Sequence, residues 1–114
     1  MALAVAVSVL ADAPFALREE IHQLVESGDS EAAMFEGIEA LRQYPEDPDL
    51  LHEVGRAAFR SDRYHVAIYY FNRALHFRPN YSASLLYLGW AQKRADLFSE
   101  ARQTFQHLRV SDDN

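Results

Sequence analysis

Through the middle of the chain, apolar and small residues recur in steps of three and four. In "DPDLLHEVGRAAFRS" they fall at Leu51, Val54, Gly55, Ala58 and Phe59, the spacing of one helical face. In "DRYHVAIYYFNRALHF" the same stepping picks out Tyr64, Ala67, Ile68, Phe71, Ala74, Leu75 and Phe77. Asp62 separates the two runs, as Gly28 and Asp96 separate similar runs before and after. Gly and Asp tolerate the turn conformation that ends one helix, and Asp also caps the next. The pattern predicts six helices, near 14–27, 30–44, 48–61, 64–78, 82–95 and 98–110.

These runs repeat at a fixed interval. Pro45 and Pro79 are 34 positions apart (79 − 45), and Ala33, Ala67 and Ala101 keep the same step. So do Gly55 and Gly89, Phe71 and Phe105, Tyr64 and Phe98, and the leucines Leu17, Leu51 and Leu85. Ala40 and Ala74 follow, with Leu108 in the third copy. Such a period signals stacked supersecondary units. The predicted organisation is an apolar N-terminal helix or extension over 1–13, then repeats over 14–47, 48–81 and 82–114, the last with a short tail. Gly55 and Gly89 on first helices, and Ala67 and Ala101 on second helices, let paired backbones approach, while Phe71 and Phe105 fill the space nearby. A proline cannot continue a helix, so each of the first two units ends at a set place.

Leu88-Gly89, Ala101 and Phe105, together with Gly55, Tyr64, Ala67, Phe71, Ala74 and Pro79, resemble the tetratricopeptide repeat. The resemblance covers residues 14 to 110. The first copy departs from it: Ile21 replaces the first-helix glycine, and Gly37 replaces the second-helix aromatic. The resemblance implies an all-α fold, a right-handed superhelical stack of antiparallel helix pairs whose concave side is lined by first helices.

Carried onto this sequence, that rule selects Phe15, Arg18, His22, Val25 and Glu26, then Asp49, His52, Arg56, Phe59 and Arg60, then Ala83, Leu86, Trp90, Lys93 and Arg94. Five of these are basic and two acidic, a local sum of +3 in a chain whose formal net charge is −6. The expectation is a non-enzymatic protein-interaction module. Its groove would receive an acidic, partly apolar protein or peptide, with Arg18, His22, His52, Arg56, Phe59, Arg60, Leu86, Trp90, Lys93 and Arg94 as the binding residues. Arg and Trp are typical of interaction hot spots, and Trp90 is expected to stack with Arg94. Where some family members grip a C-terminal carboxylate, this chain has Arg18, His22, Glu53, Ala83 and Tyr87. Glu53 would repel a carboxylate, which argues against the acidic tails of heat-shock chaperones.

Composition narrows the alternatives. The chain has no cysteine, which removes disulfides, thiolate metal sites and a cysteine nucleophile. Its acidic balance argues against a nucleic-acid binder. No histidine pair has the spacing of a helical metal site, and neither a serine elbow nor a glycine-rich phosphate loop occurs, so no cofactor is expected. Asp47 and Asp49 read as acidic residues at a helix start. The opening "MALAVAVSVLADAP" is too short an apolar run to span a bilayer, which needs about 20 residues. It lacks the charged start of a signal peptide. It is expected to cover the first repeat, as the remnant of a preceding second helix would. The expected location is cytoplasmic, or exported or membrane-associated if residues 1–13 are a targeting remnant. After the third repeat only "VSDDN" remains, so a capping helix is not expected and the last pair should expose a face meant for a neighbour. The alternative function is therefore a self-assembling scaffold, joined through residues 1–11 or that C-terminal face, or a fragment of a longer array.

Overall fold

The computed structural model describes residues 12–113. The N-terminal helix expected over 1–13 lies almost entirely outside the described residues. Six helices follow: α1 Phe15–Glu26, α2 Ser30–Leu41, α3 Pro48–Arg60, α4 Tyr64–Phe77, α5 Ser82–Arg94 and α6 Phe98–Asp113. There is no strand among the described residues. α6 runs past the predicted stop near residue 110.

The three turns inside the pairs are built alike. Gly28, Asp62 and Asp96 have φ of 89°, 60° and 63°, the left-handed residue that ends a first helix. The next amide then reaches back to the helix: Asp29 N–H to Leu24 O at 2.9 Å, Arg63 to Ala58 at 2.9 Å, and Leu97 to Gln92 at 2.8 Å. One sequence position thus sets one turn three times.

Packing within the pairs follows the small residues. A Cβ on Gly55 would meet the Phe71 ring at 2.6 Å, and one on Gly89 would meet Phe105. The first repeat exchanges these roles. Ile21 is the large residue on α1, Gly37 the small one on α2, and a Cβ on Gly37 would run into Val54 of the next repeat. The two departures from the repeat pattern are therefore one compensated exchange. Val25, Ala33, Val54, Ala57, Ala58, Ala67, Phe71 and Leu88 make a core continuous through all three repeats. A second cluster joins Ala13, Ile21, Ala40 and Leu50.

Each helix packs on its chain neighbours. The first helices α1, α3 and α5 also approach one another, while the backbones of α2, α4 and α6 do not. The close row is the inside of the curve and the spread row the outside. The molecule measures 49 × 32 × 20 Å, and its radius of gyration, 14.7 Å, exceeds the value of about 13 Å for a compact chain of this length.

Both ends of the stack are polar. Leu50, Val54 and Ala57 of α3, and Ser84, Leu88 and Ala91 of α5, are buried against the preceding repeat. The matching α1 positions are Ala16, Glu20 and Gln23, all exposed. Met34 and Leu41 of α2, and Ile68 and Leu75 of α4, pack forward; their α6 counterparts are Arg102 and Arg109, again exposed. The last pair therefore presents arginines where the sequence reading expects an apolar face, and α1 presents no apolar seat for a preceding helix. Tyr70 is half-buried, whereas Tyr69 is exposed.

Candidate functional site

The inner wall divides into two halves of different chemistry. In the N-terminal half, the guanidinium groups of Arg18, Arg56 and Arg78 are paired with carboxylates. Arg18 donates to Asp49 at 2.7 Å. Asp49 also accepts from Arg78 at 2.9 and 3.3 Å and from the Tyr81 hydroxyl at 2.9 Å. The hydrogen bond from Arg78 holds the Asp49 carboxyl below the usual range, against the opposing effect of its own burial. Arg56 is buried and bonds to Glu53 at 3.2 Å and to Glu26. Burial works against its charge, but Glu26 and Glu53 outweigh that and raise its pKa. The same hydrogen bond lowers the pKa of exposed Glu26.

The histidines of this half are also engaged. His22 is half-buried, with Nδ1 3.1 Å from a Glu53 oxygen and 3.3 Å from Arg56 Nη1. His52 is 5% exposed, 2.7 Å from the Ser84 hydroxyl, and enclosed by the rings of Phe71, Tyr81 and Tyr87. Burial and neighbouring Arg56 push its pKa down to about 3, so it is neutral. The structure thus places Arg56 and His52 beneath the wall, where they hold α1, α3 and α5 together. A charge count along the face treats Arg56 as open because it omits Glu53, its neighbour three residues earlier on α3.

The C-terminal half is different. Phe59, Trp90, Lys93, Arg94, Asp96 and Phe98 line an open cleft of about 550 Å³ where the ends of α3 and α5 meet the start of α6. Trp90 is 40% exposed and Phe98 61%. Tyr87 backs the indole edge-on at 5.0 Å, and Phe59 lies 6.5 Å from it, so the ring is propped from within. Lys93 has no ion-pair partner among the described residues. Arg94 donates to the Tyr64 hydroxyl at 3.1 Å and lies over that ring at 5.9 Å, in place of the expected stacking on Trp90. Arg60 is exposed and donates to the Val25 carbonyl at 2.9 Å. Leu86 is half-buried one turn before Trp90 on α5.

Sequence reasoning gave no site role to two residues: Asp47, which supports the wall, and Phe98, which lines its open end. Asp47, 1% exposed, caps α3 by accepting from the amides of Asp49 at 2.9 Å and Leu50 at 3.2 Å. Its other oxygen accepts from the Ala13 amide at 2.7 Å, tying the start of repeat 1 to the start of repeat 2. Phe98 was legible only as a repeat position; its exposure comes from standing at a helix start on the outer lip of the last turn.

No protein-family model matches the sequence, and no curated protein matches it. Solved structures do. The first TPR of Spaghetti (RPAP3), bound to the HSP90 peptide SRMEEVD, superposes with a TM-score of 0.82 at 20% identity, over 87% of this chain and 79% of that one. The Sgt2 TPR domain from Aspergillus fumigatus gives 0.85 at 20% identity, over 92% and 71%. A point mutant of MamA gives 0.80 at 22% identity, over 92% and 79%. The chain has the tetratricopeptide-repeat fold.

Proposed function

We propose that this stack of three tetratricopeptide-type helix pairs is a non-enzymatic protein-interaction module that takes an acidic, partly apolar peptide or helix at the C-terminal half of its inner wall. The supporting observation is the contrast between the halves. Arg18 and Arg56 are neutralised by Asp49, Glu26 and Glu53, whereas Lys93, without an ion-pair partner among the described residues, stands beside the exposed Trp90 and Phe98. Open cations around a propped aromatic ring suit a ligand that presents carboxylates next to an apolar side chain. In this reading Phe59, Trp90, Lys93 and Arg94 touch the partner and Arg60 and Leu86 flank it. Arg18, His22, His52 and Arg56 hold the wall's shape.

The SRMEEVD peptide carried by the RPAP3 domain is a useful comparison ligand. Here Glu53 and Asp49 place carboxylates in the N-terminal half, so a clamp on a terminal carboxylate is disfavoured. Trp90 is the only tryptophan in the chain, so its emission reports occupancy without a label. Titration with an acidic peptide carrying one internal phenylalanine should shift that emission and weaken with salt. Lys93→Glu with Arg94→Glu should reduce affinity at least tenfold. Unchanged affinity in that variant, or equal binding of a basic peptide, would reject the reading.

A further inference from the structure

The outer face carries an apolar groove that the inner-wall function does not use. Because the backbones of α2 and α4 do not approach each other, a cleft of about 300 Å³ opens between them, lined by Ile38, Leu41, Pro45, Tyr69, Tyr70 and Arg73. Ile38 and Tyr69 are exposed there. The equivalent cleft between α4 and α6 mixes Leu75, Pro79, Leu85 and Leu88 with Asn72, Gln103, Thr104 and His107. Of the two, the cleft between α2 and α4 is the one bordering the cluster that holds Ala13, through Leu41.

The chain itself supplies a matching segment. Apart from Ser8, residues 1–11, "MALAVAVSVLA", are all apolar and carry no charge. They enter the described structure at a fixed point, since Ala13 is buried and its amide is held by Asp47. Ala13 belongs to the cluster that includes Leu41 and Tyr44, and Leu41 also lines the groove. Packed helix axes lie about 8–10 Å apart, and ten residues span about 15 Å even when fully helical. A segment of this length is long enough to reach the groove. On α1, the other surface at hand, exposed Phe15 and Ala16 are followed by Glu20 and Gln23, without a cleft of comparable apolar lining between two helices among the described residues.

We propose that residues 1–11 dock into the groove between α2 and α4 of their own chain, covering Ile38 and Tyr69. Burying apolar area on both sides drives the association. Docking within one chain also avoids the loss of translational freedom that a second copy would bring.

The absence of cysteine makes a direct test available. Val5→Cys, Val7→Cys and Val9→Cys are each paired with Tyr69→Cys or Ile38→Cys in the full chain, and each with Val110→Cys as the distant reference. After oxidation at low micromolar concentration, at least one groove pair should become a monomeric disulfide in most chains, with Val110 pairs several-fold slower. A lack of disulfide at both groove positions, equal trapping at Val110, or covalent dimers in place of monomers would each overturn the proposal. Circular dichroism of the reduced variants shows that every pair was tested on a folded chain. Removal of residues 1–11 should also raise binding of an apolar dye several-fold, and Tyr69→Glu with Ile38→Glu should abolish that increase. An unchanged dye signal on removal counts against the docking.

Discussion

The Phe71 ring occupies the space a side chain on Gly55 would need, 2.6 Å from where its Cβ would stand. Phe71 is wholly buried in the continuous core, so the ring has nowhere to retreat. Gly55→Ala should therefore destabilise the fold by about 1–3 kcal/mol, as overpacking does. Gly89→Ala, facing the less buried Phe105, should cost less. Urea denaturation of the two variants checks the order.

Breaking the Arg56 network should cost more than a surface ion pair. Arg56→Gln leaves buried Glu53 with His22 as its remaining side-chain partner, and the loss should be about 3 kcal/mol, near the lower figure for removing one partner of a buried pair. Glu53→Gln in the same chain should recover part of it. If the double variant is no more stable than Arg56→Gln alone, the two residues are not coupled. Loss of Arg56 should also return the pKa of Glu26 upward, readable by NMR titration.

His52 gives the fold a specific acid sensitivity. The unfolded chain takes up a proton here below about pH 6.5, the ordinary value, while the folded chain stays neutral down to about 3. The unfolded state therefore binds more protons between these values, and stability falls as pH drops through that window. It is fully retained above it. The slope from one such group is about 1.4 kcal/mol per pH unit. His52→Gln should remove that component between pH 6 and 4. The Asp49 contribution is lost only at lower pH, because its carboxyl is held below the ordinary range.

Asp47 joins a helix cap to the start of the preceding repeat. Asp47→Ala removes the acceptor for Asp49 and Leu50 and frees the buried Ala13 amide. A lost cap alone is worth about 1 kcal/mol, and the freed amide adds to it. A total loss below that of Asp29→Ala, at a helix start whose exposed side chain makes no cap hydrogen bond, would contradict the role given to Asp47.

The six helices, the turn positions and the proline stops were legible because each depends on one residue's backbone preference repeated at a constant interval. Gly28, Asp62 and Asp96 illustrate it: the same φ sign recurs wherever the interval places a turn. The exchange of Ile21 with Gly37 was visible only as two mismatches, since compensation is a property of two facing surfaces. The site was harder to read. Which first-helix residues share a face follows from periodicity, but whether Arg56 points outward depends on Glu26 from another repeat. Asp47 read as an ordinary helix-start charge, because its burial comes from the Ala13 amide 34 positions earlier.

The bare spacing between the outer helices bears on how the molecule deforms. Most ion pairs between neighbouring repeats lie along the inner edge, at Asp49, Arg56 and the side chains around His52, with the exposed Arg63–Glu31 pair at 3.2 Å on the outer side. A change of pitch therefore rotates each repeat about that fastened edge while the opposite edge spreads or closes like the leaves of a fan. Stiffness against bending should accordingly reside in a few ion pairs, and small-angle scattering of Asp49→Asn should show a longer, straighter particle than the parent chain.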